Sequence, residues 1–215
     1  MLKRIIFIVL LFGTLLGQNT IRSKNPNGNF ASPNFWDNVT GFWGFGLGIW
    51  DIRQQYGGGS VFSQPPSLGT FNIGGKYTYW SNNDFIAVNL ASQLQLALRL
   101  TTPMDYYVSV PFYVMGNIGS GSTPYNENVV GGGLGVGGRI AYVNFNYGNS
   151  NTAFNSTLSQ AYMTPFVMGE INLFSYSFRL FVDVLPYPIK FKIDPRTEIN
   201  ATISSVQLEM DIFIR

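Results

Sequence analysis

Residues 86–100 read IAVNLASQLQLALRL. Their even positions are Ile86, Val88, Leu90, Leu94, Leu96, Leu98 and Leu100, with Ser92 the exception. The odd positions are Ala87, Asn89, Ala91, Gln93, Gln95, Ala97 and Arg99. A period of two describes a strand with one apolar face and one small or polar face. At about 3.3 Å per residue the run spans roughly 50 Å, well beyond an ordinary strand. A tilted strand crosses a bilayer in about 9–11 residues, so this one is long enough to cross and project.

Composition points the same way. Charged residues make up 11% of the 215-residue chain, against about 25% in soluble domains. Aromatics make up 16%, and there are 24 glycines. The chain has no cysteine and no histidine. That removes disulfides, thiolate metal sites and the commonest general base. No cofactor is expected.

Residues 1–17 read as a secretory signal, with Lys3 and Arg4 ahead of an apolar core and a cleavage point before Gln18. The apolar stretch is too short for a membrane helix, and no later stretch is longer, so any insertion must use strands. Removing Lys3 and Arg4 brings the 13 cations level with the 11 anions. A neutral mature chain argues against nucleic-acid binding. Residues 18–41 form a polar, Asn-rich leader with Pro26 and Pro33.

Eight alternating segments come next, over 42–53, 69–80, 85–100, 105–118, 129–146, 161–174, 176–185 and 202–215. Short connections at 81–84 and 174–175 contrast with long ones at 54–68, 147–160 and 186–201. Two connections fit the long-and-short pattern poorly: 101–104 is short, and 119–128 is long with Gly119, Gly121 and Pro124. Trp43, Tyr77 and Tyr79 fall near one rim, and Tyr106 and Tyr142 near the other. The fold expected is all-β: an eight-stranded antiparallel up-and-down transmembrane β-barrel over 42–215, with both termini periplasmic.

On these alternating strands, tight turns and the closing strand VQLEMDIFIR, the chain resembles the small eight-stranded outer-membrane proteins of Gram-negative bacteria, the OmpA-barrel, OmpX and OmpW-like group. Such barrels usually end on an aromatic residue. Here the last residue is Arg215, with Phe213 two positions earlier. The Asn-rich, low-charge composition resembles that of Bacteroidota proteins.

The face opposite the apolar one carries Lys76, Arg99, Arg139 and Arg179 together with Glu170, Asp183, Glu209 and Asp211. A balanced set inside a narrow barrel should pair, because unpaired buried charge is costly. Such pairing makes a salt-bridged plug; the sharper reading is an ion path or a polar ligand site. Gly44, Gly46 and Gly48 on one strand and Gly133, Gly135 and Gly137 on another leave space that larger side chains could fill or that could remain as a cavity. Lys190, Lys192 and Arg196 are candidates for contact with lipopolysaccharide phosphates.

Residues 133–138 match G-x-G-x-x-G, but Arg139 and the residues after it continue as a strand rather than a helix, which excludes a dinucleotide site. No P-loop and no G-x-S-x-G is present, and the histidine-dependent hydrolases are excluded, so no enzyme is expected. The sequons at Asn38, Asn155 and Asn200 are chance matches.

Three functions fit. One is a closed barrel serving as a structural or accessory subunit of an envelope assembly for secretion, motility or barrel insertion, in contact with outer-membrane lipid and other envelope proteins. The second is an OmpW-like channel for a small or hydrophobic solute. The third, a soluble β-sandwich, needs charged outer positions that these strands lack.

Overall fold

The computed structural model describes residues 35–55, 66–82, 85–99, 104–124, 126, 128–148, 155–192 and 198–214. The proposed signal at 1–17 and leader residues 18–34 lie outside the described residues.

A short 3-10 turn, Phe35–Asn38, leads into the strands. These are β1 (Val39–Gln54), β2 (Ser67–Asn82), β3 (Ile86–Arg99), β4 (Asp105–Gly119), β5 (Val130–Gly148), β6 (Asn155–Leu173), β7 (Tyr176–Asp183), β8 (Tyr187–Lys192) and β9 (Glu198–Ile214). Sequence neighbours pair antiparallel from β1 to β7, and β9 pairs with β1 to close the sheet. Closure removes the sheet's edges, although between β6 and β8 the ladder narrows to one pair, Thr157↔Lys192.

The seventh wall position is shared by two strands. Both β7 and β8 pair with β6 on one side and β9 on the other. The barrel therefore has eight staves, the seventh broken near Pro186. Between Val182↔Val206 and Tyr187↔Ile203 this stave advances five residues while β9 advances three. Pro186 and Pro188 have no N–H to give the ladder, which places the irregularity there.

This corrects the expected loop over 186–201, most of which is strand. The alternation of Tyr187, Ile189 and Phe191 with Pro188, Lys190 and Lys192 was the signal for it. Likewise β5 and β6 pair as far as Gly148↔Asn155, so residues 147–148 and 155–160 of the expected loop over 147–160 are strand. The barrel also begins at Val39, three residues earlier than expected.

Burial is inverted relative to a soluble protein. Outward side chains such as Leu134, 77% exposed, and Phe45, Ile140, Ile171 and Leu208 form an exposed apolar surface. Inward Lys76, Arg139, Arg179 and Glu209 are at most 1% exposed. A surface this apolar on every stave needs hydrocarbon as its solvent. Tyr106 and Tyr142 lie against each other on adjacent strands with ring centroids 6.0 Å apart, and Phe35 stacks on Tyr77 at 5.0 Å.

For orientation, the near end is where β1 begins and β9 finishes, and the far end is opposite. The near-end turn after β6 places Phe174 at φ 57°, a backbone region that costs an L-residue roughly 1–2 kcal/mol. Its N–H donates to the Val129 carbonyl at 2.7 Å, so the conformation is held. Phe174→Gly should gain about 1 kcal/mol, because the ring is 65% exposed and little packing is lost. The check is a higher urea midpoint for unfolding from lipid vesicles at unchanged slope.

Candidate functional site

The lumen is the only place where the strand parity gathers polar chemistry among the described residues. Because successive side chains alternate faces, each stave contributes every second residue to it. Those residues form successive layers from the near end to the far end.

In the near half, Glu170 on β6 accepts hydrogen bonds from Asn172 Nδ2 at 2.6 Å, Arg179 Nε at 2.8 Å and Asn117 Nδ2 at 3.0 Å. Lys76 Nζ lies 3.4 Å from the same carboxylate. Arg179 on β7 is shared, its Nη1 lying 3.0 Å from Asp211 on β9. Its guanidinium also sits 3.9 Å from the Phe42 ring centroid. Every side chain in these ion pairs is at most 1% exposed. At such depth ion pairs need hydrogen bonds to their remaining atoms, and Asn117 and Asn172 supply them to Glu170.

Glu209 is held by neutral amides, one of which also bonds Arg179. It accepts hydrogen bonds from Gln93 Nε2 at 2.9 Å and Gln95 Nε2 at 2.6 Å, both on β3. Ser109 Oγ in turn donates to Gln95 Oε1 at 2.6 Å, which fixes that amide's orientation.

An apolar layer comes next, with Tyr113, Met115, Phe166, Met168, Phe181 and Ala91 packed together. Beyond it, Arg139 Nε lies 3.3 Å from Asp183, while Asp183 accepts from the Ser205 N–H at 2.7 Å and Oγ at 2.8 Å. Arg139 lies over the Phe166 ring, 4.8 Å from its centroid. The far third is filled by Trp50, Ile52, Leu68, Tyr107, Val143 and Phe145 with their neighbours.

The eight charged residues expected inside thus divide. Lys76, Glu170, Arg179 and Asp211 form one group, Arg139 and Asp183 a second, and Glu209 is held by amides. Arg99 is at the far rim, 41% exposed, where it pairs with Asp105.

The six glycines face occupied space. A Cβ on Gly46 would come within 2.7 Å of Thr70 Oγ1, and one on Gly48 within 2.6 Å of the Trp50 ring. Gly44 is crowded by Asp211, Gly133 by Asn117, Gly135 by Met168 and Gly137 by Tyr113. These glycines admit the large inward side chains, and neighbouring backbone adds to the crowding at Gly44, Gly46 and Gly137.

Of the basic cluster, Lys190 is 71% exposed and its Nζ lies 3.1 Å from Glu198. Lys192 ends β8, opposite Glu198 and Thr157 in the ladder. Arg196 lies outside the described residues.

The residues missed from sequence are neutral: Asn89, Gln93, Gln95, Asn117 and Asn172. Their inward parity was legible, yet attention to charge passed over them. The connection after β4 was also missed as a lumen element. Lys76 Nζ donates to the Gly121 carbonyl at 2.6 Å, Asn89 Nδ2 to that of Ser122 at 3.0 Å, and Asn172 Nδ2 to that of Ser120 at 2.8 Å.

No protein-family model matches the sequence, and no curated protein matches it. Solved structures similar to the chain are small outer-membrane barrels. The attachment invasion locus protein Ail of Yersinia pestis, crystallised with the heparin analogue sucrose octasulfate, is 11% identical with a TM-score of 0.39, over 82% of this chain and 99% of that one. Neisserial surface protein A is 9% identical with a TM-score of 0.39, over 80% and 96%. The N-terminal barrel of Pseudomonas aeruginosa OprF is 12% identical with a TM-score of 0.35, over 82% and 98%. This chain's own ladder and inverted burial establish its architecture. It is a transmembrane β-barrel. Closed antiparallel barrels with an apolar outside and a polar inside are the outer-membrane form of that architecture.

Proposed function

We propose that the chain is a bacterial outer-membrane barrel that transports nothing and catalyses nothing, and that it acts by binding, as a structural or accessory subunit of an envelope complex for secretion, motility or assembly. The single observation that carries this reading is the filled lumen. Ion-pair layers, an aromatic layer and a far-end apolar layer succeed one another along the barrel. A barrel of eight strands is narrow enough for its own side chains to fill. What remains free to interact is the outside: the belt, the rims and the connections.

In this reading the near end faces the periplasm, residues 1–17 are removed on export, and the far rim with Lys190 faces lipopolysaccharide phosphates, for which Lys192 and Arg196 are further candidate contacts by sequence. Lipid and lipopolysaccharide are then constitutive partners, with a further envelope protein as the specific one.

Extraction in mild detergent, then native mass and identification of co-purifying proteins, tests this. A stoichiometric complex of defined mass is the expected result. A lone barrel that also gives unitary conductance steps in planar bilayers overturns it in favour of a small-solute channel.

A further inference from the structure

The connection from Gly119 to Val130 does not behave as a surface turn. Ser120, Ser122, Thr123 and Asn126 are each at most 4% exposed, in a segment that joins two strands at the rim of the barrel. Connections ordinarily run over the surface, because a buried one must find partners for its backbone. This one finds them inside the mouth. Three carbonyls, from Ser120, Gly121 and Ser122, accept hydrogen bonds from Asn172 on β6, Lys76 on β2 and Asn89 on β3. The donors come from three different staves, so the connection is tied across the opening as well as to its own hairpin, where the Ser120 N–H donates to the Val130 carbonyl at 3.0 Å.

The local chemistry is made for folding inward. Gly119 and Gly121 have φ of 66° and 76°, which lets the chain reverse twice within three residues. The turn at Gly121 brings it so close to its seat that a Cβ there would lie 2.8 Å from Asn172 Nδ2 and 3.2 Å from the Phe213 ring. Within the connection, the Ser122 N–H donates to the Gly119 carbonyl and Asn126 Nδ2 to Ser122 Oγ, each at 3.1 Å.

We infer that this connection is a seated stopper that closes the near mouth over the polar layer of Lys76, Glu170 and Arg179, and that unseating it exposes that layer to near-side water while the far layers stay closed. The barrel is then a one-ended polar chamber with a detachable lid. This goes beyond the accessory-subunit reading and holds whether or not a partner complex exists.

The absence of native cysteine makes single-cysteine reporters unambiguous. Ser177→Cys reports on the near layer, since Ser177 is fully buried and lies opposite Asn172 in the ladder. Ala97→Cys reports from the far apolar cluster, where Ala97 is fully buried. Each is placed in the parent barrel, in a barrel whose residues 120–130 are replaced by a two-residue Asn-Gly turn, and in an Asn89→Ala/Gly121→Val barrel of full length. Labelling by a membrane-impermeant maleimide is followed in detergent, on protein shown to be folded by its mobility on an unheated gel. The full-length variant covers the case in which the shortened one does not fold.

The expected result is that labelling at position 177 is slow in the parent and speeds up by about tenfold or more once the stopper is removed or unseated, with position 97 slow throughout. Fast labelling at 177 in the parent overturns the inference, because the mouth is then already open. Slow labelling at 177 in the altered barrels overturns it as well, because strand side chains then close the mouth. Equal acceleration at both positions means the whole barrel has loosened and also refutes it.

Discussion

Arg179→Ala should cost about 3–5 kcal/mol, the penalty for removing one partner of a buried ion network. The size reflects the groups left behind. Glu170 loses the Nε donor at 2.8 Å and Asp211 loses its cation at 3.0 Å. Neither carboxylate can turn to water, since both side chains are fully buried. The Phe42 ring also loses the guanidinium that covers it. Lys190→Ala is the matched control: it too ends an ion pair, with Glu198, but one in which both side chains are exposed. Exposed pairs are worth about 0–1 kcal/mol, so the control should change little. Arg179→Lys should fall between the two, keeping the charge but losing the fork that reaches two carboxylates at once. Urea unfolding from phospholipid vesicles measures all three. If Arg179→Ala were no worse than Lys190→Ala, water would have to reach the network, and the filled-lumen reading would fail with it.

The same network shows how far the sequence could be read. Period two assigned residues to faces, and it did so correctly for strands as different as β3 and β7, because a strand leaves no other choice once one face is apolar. It could therefore say that Lys76, Glu170, Arg179 and Asp211 share a face. It could not say that these four meet while Arg139 takes Asp183 alone, because that depends on stagger between staves, and stagger is fixed by ladder register. The reading also failed wherever prolines clustered. Pro186, Pro188 and Pro195 made 186–201 look like a loop, although Tyr187, Ile189 and Phe191 kept the alternation. Proline denies only its own N–H, and a stave can bulge past it and resume. Connection 119–128 was noticed as too long for a near-end turn, but its destination was hidden. Nothing in the string GSGSTPYNENV names the asparagines on other staves that hold its carbonyls.

Arginine scanned along the outward positions of β5 should produce a peaked loss of stability. Val130, Leu134, Val136, Ile140 and Tyr142 all point outward, and Leu134 is the most exposed of them at 77%. A cation at the bilayer midplane costs about 2–4 kcal/mol, falling to about 0–1 near the interfaces. Leu134→Arg and Val136→Arg should therefore be the most damaging, with Val130→Arg and Tyr142→Arg mild. Measured by urea titration in vesicles, the profile reads depth directly. Tyr142 has a second reason to mark an interface, since its ring lies beside Tyr106 and aromatic pairs collect at headgroup level. The inner face gives the internal contrast. Arg139, on the same strand, is fully buried, and it is tolerated because Asp183 and Tyr107 face it. One strand thus carries an arginine that the fold requires and positions where an arginine is excluded, separated by a single residue of parity. A flat profile across the five positions would mean that water, not lipid, bathes the outer wall, and would sink the transmembrane assignment.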